Sequence, residues 1–543
     1  MTRPVGFTRS PRRVLVASRV LTPRVAAAAL IALLPVAAAS SQTPARADIL
    51  IVGGTVIDGT GAPARQADVA ITGDRISFVG DARSARIDAV RRIDARGLIV
   101  APGFIDPHTH TYGDLESDRA DRRGNAAYLM QGVTTVVTGN DGGGPVDVAA
   151  HLSKWEASGI GTNGALFVGF GSIRQSVLGM RSDAPNASQL ATMREMVAKG
   201  MEGGALGLST GLYYAPQSYS TTEEVIALAR EAASRGGIYD SHMRDESSYT
   251  VGLMGAVREV LRIGREAKLP VHIAHIKALG VDVWGQSDSV IALVDSARAA
   301  GMAVTADQYP YTASGTSVGA SLLPRWAEAG GRDSLRARIR NPEVRDHLVA
   351  DMTDNMRRRG GAKSLLITGG SDRSLVGKTL EDIAKARNAD PILTAIEIIM
   401  AGGAGVASFN MNEDDIAQFM RQPWVMTGSD GSDGHPRKYG TYPRKLHEYV
   451  LTKHVLTLEE MVQRSSHDVA AAFQMGQRGT LATGWFADII VMDTAKVAAR
   501  STYEEPQRLA EGMQYVLVNG KVAVNDGKLT GVLAGRGVRR VTP

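Results

Sequence analysis

Two histidines one residue apart close an apolar run in the segment 104–110, FIDPHTH. The run predicts a short β-strand, and side chains two positions apart on an extended segment share a face, so both imidazoles can reach one point at its end. Imidazole is a common protein ligand of zinc-type ions. His108 and His110 therefore predict part of a metal site, which Asp106 and Thr109 can support from behind the ligating rings.

Four further candidate ligands follow other apolar runs of the chain. They are two carboxylates in glycine-rich loops and two imidazoles: Asp141, Asp430, His242 and His275. Four imidazoles and two carboxylates at one point can hold one or two zinc-type ions and leave positions open for water. The six residues together are a far more specific signal than the histidine pair alone.

Eight apolar or β-branched runs supply the strands that would position these ligands. They lie near Phe104 and at 134–138, 165–169, 205–209, 238–241, 271–274, 303–306 and 424–427. Segments with helical periodicity, such as 222–230, separate several of them. Eight strands alternating with helices predict an α/β fold with a (β/α)₈ TIM-type barrel over residues 102–475. The candidate ligands follow the first, second, fifth, sixth and eighth runs, at the strand ends where barrel enzymes carry their chemistry.

Two regions do not fit simple βα units. The spacing across residues 322–422 is too long for one connection and predicts a largely helical insertion near the barrel mouth, where such a segment can act as a lid. Alternating strands with glycine turns occur at 49–59 and 68–80, and again at 487–493 and 515–522. We therefore expect a small discontinuous β-sandwich domain built from both chain ends, residues 48–101 and 476–543.

The composition excludes some classes of function. The chain has 543 residues, 44% hydrophobic and 22% charged, which is typical of a globular protein. Its net charge is only +5, and the sequence pI of about 9.2 owes much to an arginine-rich start, so we expect no nucleic-acid partner. With no cysteine, the chain has no disulfide, thiolate nucleophile or cysteine-ligated metal.

The first 47 residues predict a signal peptide. Basic residues precede an apolar run at 25–39, and small residues offer cleavage sites at 37–39 or 45–47. A membrane anchor is the alternative, but the run is short for a bilayer and Pro35 interrupts it. We expect an exported protein, periplasmic or secreted, with no stable membrane anchor after processing.

The motifs together resemble the amidohydrolase superfamily and, within it, the D-aminoacylase (N-acyl-D-amino-acid deacylase) family. The resemblance runs over essentially the whole mature chain and is carried by APGFIDPHTH at 101–110, GALGLSTGL at 204–212, HMRDE at 242–246, QYPYTA at 308–313, GSDG at 428–431 and HPR at 435–437. It implies that His108, His110 and Asp430 bind one metal. It further implies that His242 and His275 hold or help hold a second, with Asp141 as a bridging ligand.

The resemblance also implies an activity. A protein of this family uses one or two Zn²⁺ ions, or another divalent metal, to activate water that cleaves the amide bond of N-acyl-D-amino acids, which are small-molecule substrates. Asp430 is the candidate proton shuttle, and Arg437 matches the residue that binds the carboxylate of the amino acid. Tyr309, and either Tyr213 or Tyr214, can add hydroxyl donors.

The chain departs from the family pattern after the second strand. The best-known members have cysteine there, whereas this chain has Asp141, and a carboxylate can bridge two metal ions. Segment 205–210 contains no lysine to form the carboxylated bridge of other amidohydrolases, which argues against a hydantoinase-type site.

Two alternatives remain open from the sequence. One is a cyclic-amide hydrolase or a dipeptidase on the same barrel. The other is a metal-free binding or scaffold protein, since a fold does not guarantee chemistry. The presence of all four imidazoles and Asp430 argues against the second alternative. His272 lies three residues before His275, on the opposite face of its strand, and we expect it to be structural.

Overall fold

The computed structural model describes residues 46–541. The predicted signal peptide, 1–47, lies almost entirely outside them. No helix between residues 46 and 541 combines the length and the apolar character needed to cross a bilayer.

Both chain ends contribute to one nine-stranded sheet. Its strands are Arg46–Val56, Arg65–Thr72, Arg75–Gly80, Asp88–Asp94, Ile99–Pro102, Ile489–Met492, Met513–Val518, Lys521–Asn525 and Lys528–Leu529. Strand Ile489–Met492 joins the two halves because it pairs antiparallel with Ile99–Pro102. Residues on both faces of the first strand are buried, with Ile49 and Ile51 in one apolar cluster and Leu50 in another.

Eight parallel strands form the barrel, and each predicted strand overlaps an observed one. They are Phe104–Asp106, Val133–Thr138, Asn163–Leu166 with its continuation Val168–Gly169, Gly207–Gly211, Ile238–His242, Val271–Ile273, Val304–Gln308 and Val425–Thr427. Backbone hydrogen bonds join the first strand's end to the eighth, from Asp430 N to His108 O at 2.9 Å and from His110 N to Gly431 O at 3.0 Å. This closure brings the candidate ligands of the first and eighth strands together.

Amphipathic helices cover the barrel. Gly252–Ala267 shows why: Leu253, Val257, Val260 and Gly264 recur at helical spacing and are all buried. The helices outside the insertion are Tyr112–Leu115, Ala120–Arg123, Ala126–Leu129, Val148–Ser158, Phe170–Leu178, Ala187–Glu202, Thr222–Ala233, Gly252–Ala267, Ser287–Ala299, Glu413–Arg421, Arg437–Arg444, the π-helix Lys445–Thr452, Leu458–Arg464 and His467–Ala472.

The connection between the seventh and eighth strands carries its own hydrophobic core, formed by residues between 318 and 406. Its helices are Val318–Leu322, Arg325–Glu328, Gly331–Arg340, Pro342–Arg358, Leu380–Ala386 and Pro391–Met400. The sequence predicts a largely helical insertion; the structure adds a three-stranded antiparallel sheet of Ala313–Ser317, Ala404–Phe409 and Leu365–Gly370.

Candidate metal centre

The six predicted ligands meet at the barrel mouth. Three sets of ligand atoms lie within 4.8 Å of one another: His108 with His110 and Asp141, His108 with His275 and Asp430, and Asp141 with His242 and His275. The sets share residues, so the six side chains form one continuous donor cluster. All but His110 have side chains that are no more than 14% exposed.

Asp141 lies at the centre of the cluster. Its two oxygens are 3.5 Å from His108 Nε2, 3.6 Å from His110 Nε2, 3.8 Å from His242 Nδ1 and 3.6 Å from His275 Nε2. Burial raises the pKa of Asp141, but the surrounding histidines outweigh that effect and hold it well below its usual range. The carboxylate is therefore charged and faces all four imidazoles.

Three of these residues have an uncommon backbone conformation. Asp141, His275 and Asp430 have φ values of 56°, 33° and 47°, in the left-handed region that non-glycine residues seldom adopt. Strain of this kind persists where the surroundings fix it, and it is common at functional sites. At Asp141, Gln217 supplies that constraint by donating to the Asp141 carbonyl at 2.9 Å and accepting from Gly211 N at 2.7 Å.

His108 has the protonation state that a metal ligand requires. Burial lowers the pKa of His108 to about 4, so its ring is neutral at neutral pH. Both of its ring nitrogens, and Asp141 Oδ1, are buried without a hydrogen-bond partner within residues 46–541. Buried polar atoms normally have partners, so these atoms indicate a missing ligand. Nitrogen and oxygen donors without sulfur fit a zinc-type ion.

Asp430 links the donor cluster to a buried arginine. Its Oδ1 lies 3.0 Å from His110 Nε2, and its Oδ2 lies 2.8 Å from Arg437 Nη1. Burial alone raises the pKa of Asp430, but Arg437, His275 and His110 hold it far below its usual range. Asp430 is therefore ionised at neutral pH, which is the state that a metal ligand requires.

Glu246 holds His275 from behind. Glu246 Oε1 is 3.1 Å from His275 Nδ1 and 2.7 Å from Lys277 Nζ, and all three residues are buried. A carboxylate that accepts from Nδ1–H orients the ring so that Nε2 faces Asp141. With the carboxylates of Glu246, Asp430 and Asp141 outweighing burial and Lys277, the pKa of His275 rises to about 10. His275 therefore ligates a metal only after losing that proton.

A buried polar layer lies beneath the centre. Asp307 Oδ2 is 2.9 Å from His272 Nε2 and 3.8 Å from His108 Nδ1. Gly428 lets the eighth strand pass this carboxylate closely, because a Cβ there would lie 2.2 Å from Asp307 Oδ1. Asp106 Oδ1 accepts from the backbone N–H groups of His108 and Ser429, so it fixes the loops rather than the ligating rings.

A pocket opens onto the centre. Its wall carries ligand residues, four tyrosines and two cationic groups: His110, Asp141, His242, His275, Asp430, Tyr213, Tyr214, Tyr249, Tyr309, Lys277 and Arg359. Residues 314–316 of strand Ala313–Ser317 also line it. Polar and charged side chains that converge beside apolar ring faces suit a small polar substrate.

The predicted substrate-binding residues differ in whether their polar atoms already have hydrogen-bond partners. Tyr309 lines the pocket, and its hydroxyl has no hydrogen-bond partner within residues 46–541. Tyr213 also lines it, but its hydroxyl donates to Ala320 O at 2.7 Å. Arg437 lies behind Asp430, with its guanidinium 4.7 Å from the centre of the Tyr309 ring, and its Nε has no partner in the same range.

Sequence reasoning passed over three residues of the site. Asp307 is the penultimate residue of the seventh strand, so its position near the strand end could have marked it. Glu246 stands four residues after His242 within a quoted motif, and that spacing was a usable signal. Arg359 follows helix Pro342–Arg358 in a run of arginines, and nothing in the sequence separates it from its neighbours.

Comparison with known proteins gives consistent matches over most of the chain. A family model described as "Amidohydrolase family" matches residues 91–524. The D-aminoacylase of Alcaligenes xylosoxydans xylosoxydans is 34% identical over 520 aligned residues, covering 91% of this chain and 98% of that protein.

Two solved structures are also similar. A D-aminoacylase crystal structure matches with a TM-score of 0.77 at 33% identity, covering 91% of this chain and 100% of that one. The N-acyl-D-glutamate deacylase of Bordetella bronchiseptica matches with a TM-score of 0.77 at 32% identity and the same coverage. That protein was solved with zinc and a phosphonate inhibitor that mimics the tetrahedral intermediate of its reaction.

Proposed function

The chain belongs to the amidohydrolase family, and on that premise we propose that it is a metal-dependent hydrolase that cleaves the amide bond of N-acyl-D-amino acids. The observation that carries the proposal is the meeting of four imidazoles and two carboxylates beside one small pocket. Relatives named for this deacylation align with the chain along nearly their whole length, and we infer the substrate class from them.

The donor cluster divides into two overlapping sets in this proposal. His108, His110 and Asp430 hold one zinc-type ion, while His242 and His275 hold a second position and Asp141 is shared by both. A bound ion of this type makes water acidic and polarises the amide carbonyl.

Asp430 moves the proton. Its ionised carboxylate accepts the proton of the attacking water and returns it to the departing nitrogen. Support comes from its place on the pocket wall, where Oδ1 faces His110 while Arg437 fixes Oδ2.

Arg437 and Tyr309 bind the substrate's carboxylate. Arg437 keeps one donor, Nε, without a partner in the described chain, and the Tyr309 hydroxyl beside it is also unpaired. Tyr213 shapes the pocket wall with its ring, since its hydroxyl is already engaged.

The proposal extends to the architecture. The barrel at 102–475 supplies the chemistry, the insertion at about 322–422 shields the mouth, and residues 48–101 and 476–543 form a small β-sandwich. The support for shielding is that Arg359 of the insertion lines the pocket together with the candidate ligands, as do residues 314–316 just before its predicted start.

A panel of paired N-acetyl-D- and N-acetyl-L-amino acids tests the function. We expect the purified, zinc-reconstituted protein to hydrolyse D-substrates in strong preference to L-substrates. A chelator should abolish the activity, and added zinc should restore it. Absence of stoichiometric metal, with activity indifferent to both treatments, would rule the proposal out.

A further inference from the structure

Arg359 stands apart from the other cationic groups of the pocket. It is 2% exposed and lines the same cavity as the ligand residues. Within residues 46–541 it forms no ion pair, whereas Lys277 pairs with Glu246 at 2.7 Å and Arg437 pairs with Asp430 at 2.8 Å. A buried charge without a counter-charge is costly, and such groups are normally paired.

The partners that Arg359 does have are all neutral. Nε donates to Ser321 O at 3.1 Å, and Nη2 donates to the Tyr213 hydroxyl at 3.4 Å. Nη1 donates to the Asn410 side-chain oxygen at 3.2 Å in the amide orientation that satisfies the neighbours of Asn410. These contacts hold the guanidinium in place without neutralising it, so the site is built to accept an anion.

The two guanidiniums near the pocket belong to different walls. Arg437 follows the eighth strand and pairs with Asp430. Arg359 comes from the insertion and contacts Tyr213, whose ring centre is 5.8 Å from that of His242 on the fifth strand. Because Arg437 already has Asp430 as a counter-charge, a substrate whose single carboxylate binds Arg437 leaves the charge of Arg359 uncompensated, whereas a second carboxylate on the side chain can pair with Arg359.

We infer that Arg359 forms an anion subsite for the substrate's side chain, so that the preferred substrates are N-acyl-D-amino acids with an acidic side chain. The inference rests on the proposed function and narrows its substrate class. A planar guanidinium suits bidentate binding of a carboxylate. Arg359 then determines which side chain is preferred, whereas Arg437 binds the amino-acid carboxylate that all these substrates share.

The experiment compares N-acetyl-D-glutamate with N-acetyl-D-glutamine, which has nearly the same shape and no side-chain charge. We expect wild type to favour the glutamate by at least about 100-fold in kcat/KM, because a site built for a charged group discriminates strongly against a substrate that lacks it. Arg359→Met should bring that ratio close to one by reducing glutamate turnover alone. Arg359→Lys should keep part of the preference, because it retains the positive charge but loses the planar group that binds a carboxylate through two hydrogen bonds.

Two further variants serve as comparisons. Arg357→Met removes an exposed arginine two residues away, which pairs with Asp282 outside the pocket, and should leave the ratio unchanged. Arg437→Ala should lower kcat/KM for both substrates by a similar factor. Thermal melting of each variant confirms folding, and the Lys variant keeps the test decisive if the Met variant does not fold.

Two results would overturn the inference: a wild-type enzyme that does not favour the glutamate, or a folded Arg359→Met protein that loses both activities equally. The proposed function fails separately, if wild type hydrolyses no N-acyl-D-amino acid. In that case calorimetry with the same two compounds still tests whether Arg359 forms an anion subsite. Tighter binding of the glutamate that disappears in Arg359→Met supports the subsite, and equal binding excludes it.

Discussion

Asp141 is the residue on which the metal content of the proposed site should depend most. Its carboxylate lies within 3.8 Å of all four imidazoles, so one side chain can serve both metal positions. We expect Asp141→Asn to reduce bound zinc by about one ion per chain, because a neutral amide is a much weaker bridging ligand. Elemental analysis after dialysis against graded chelator measures the change.

Asparagine is a suitable probe at this position for a backbone reason. Asp141 has a φ of 56°, and asparagine tolerates that region better than most residues. Loss of metal with an unchanged melting temperature of the metal-free protein therefore reports on ligation. Unaltered zinc content in Asp141→Asn would show that Asp141 is only a turn residue.

Asp430 carries the proton transfer in the proposed reaction. Asp430→Asn should lower kcat by about 10²–10⁴-fold, because an amide neither accepts the proton from water nor returns it to nitrogen. Steady-state kinetics on N-acyl-D-amino acids measures the loss. Zinc content has to be measured on the same samples, and a fall in kcat that tracks lost metal alone would remove the proton-shuttle role.

The sequence located the ligands better than the residues that hold them. His108, His110 and the other four ligands each follow an apolar strand, and barrel geometry brings such positions to one mouth. Glu246 and Arg359 reach the site from loops; the spacing of Glu246 after His242 is a signal in the sequence, whereas nothing in the sequence marks Arg359. Their contacts with Lys277, His275 and Tyr213 join segments distant in sequence, so only the folded chain shows them.

At the level of elements, strands were more predictable than the insertion. Most barrel strands are short, begin at an apolar residue and are buried on both faces, so composition marks them. Strand Ala313–Ser317, by contrast, is small and polar, with the sequence ASGTS, and its hydrogen-bonding partner Ala404–Phe409 begins almost 90 residues later. Neither periodicity nor apolar content predicts that pairing, so the sheet of the insertion emerges only from tertiary contacts.

The π-helix Lys445–Thr452 continues the helix that begins at Arg437, and its first residue docks onto the eighth strand. Lys445 is fully buried and donates to Thr427 Oγ1 at 2.8 Å. Burial, with a smaller contribution from Arg464, lowers the pKa of Lys445 to about 7. The folded state therefore binds fewer protons here than the unfolded state between pH 7 and about 10, and stability should rise with pH across that window.

The variant Lys445→Met tests whether stability rises with pH for this reason. The free energy of unfolding of wild type, relative to Lys445→Met, should increase from pH 7 to pH 9.5 by at most about 1.4 kcal/mol per pH unit. Urea unfolding at several pH values gives the comparison. Parallel pH profiles for the two proteins would mean that the amine is charged in the folded state.

At the scale of the whole molecule, a buried polar network ties the C-terminal strands to the barrel. Asp488 pairs with Arg478 and accepts from Asn519 N at 2.8 Å and from Asn163 Nδ2 at 3.2 Å, and Asn163 lies on the third barrel strand. We expect Arg478→Met to lower the free energy of unfolding by about 3–5 kcal/mol, because it leaves the Asp488 carboxylate buried and unpaired. Denaturant unfolding measures the effect.

A matched variant separates this network from surface charge. Arg500 pairs with Glu511 at 2.7 Å, but both side chains are about half exposed, so Arg500→Met should cost less than about 1 kcal/mol. Adding Asp488→Asn to Arg478→Met should recover part of the lost stability, because the unpaired charge is removed. Equal costs for the two arginine variants would show that the network does not hold the parts together.

The start of the mature chain is the remaining prediction at this scale. Strand Arg46–Val56 pairs with Asp88–Asp94 from its first residue, and Ala47 is buried. Cleavage after residue 39 leaves this strand whole, whereas cleavage after residue 47 removes its first two residues. We therefore expect an exported protein whose mature chain begins at Ser40 rather than Asp48, as N-terminal sequencing of protein from the native host would show.

Comparing two shortened chains isolates the structural reason. A chain that starts at Asp48 should melt at a lower temperature than one that starts at Ser40, because it loses the pairing of residues 46 and 47 with Asp88 and Ala89. A native start at Asp48 with equal melting temperatures would show that the strand does not select the cleavage site. Intact protein beginning at Met1 in the cytoplasm would contradict export itself, whatever the stability of the shortened chains.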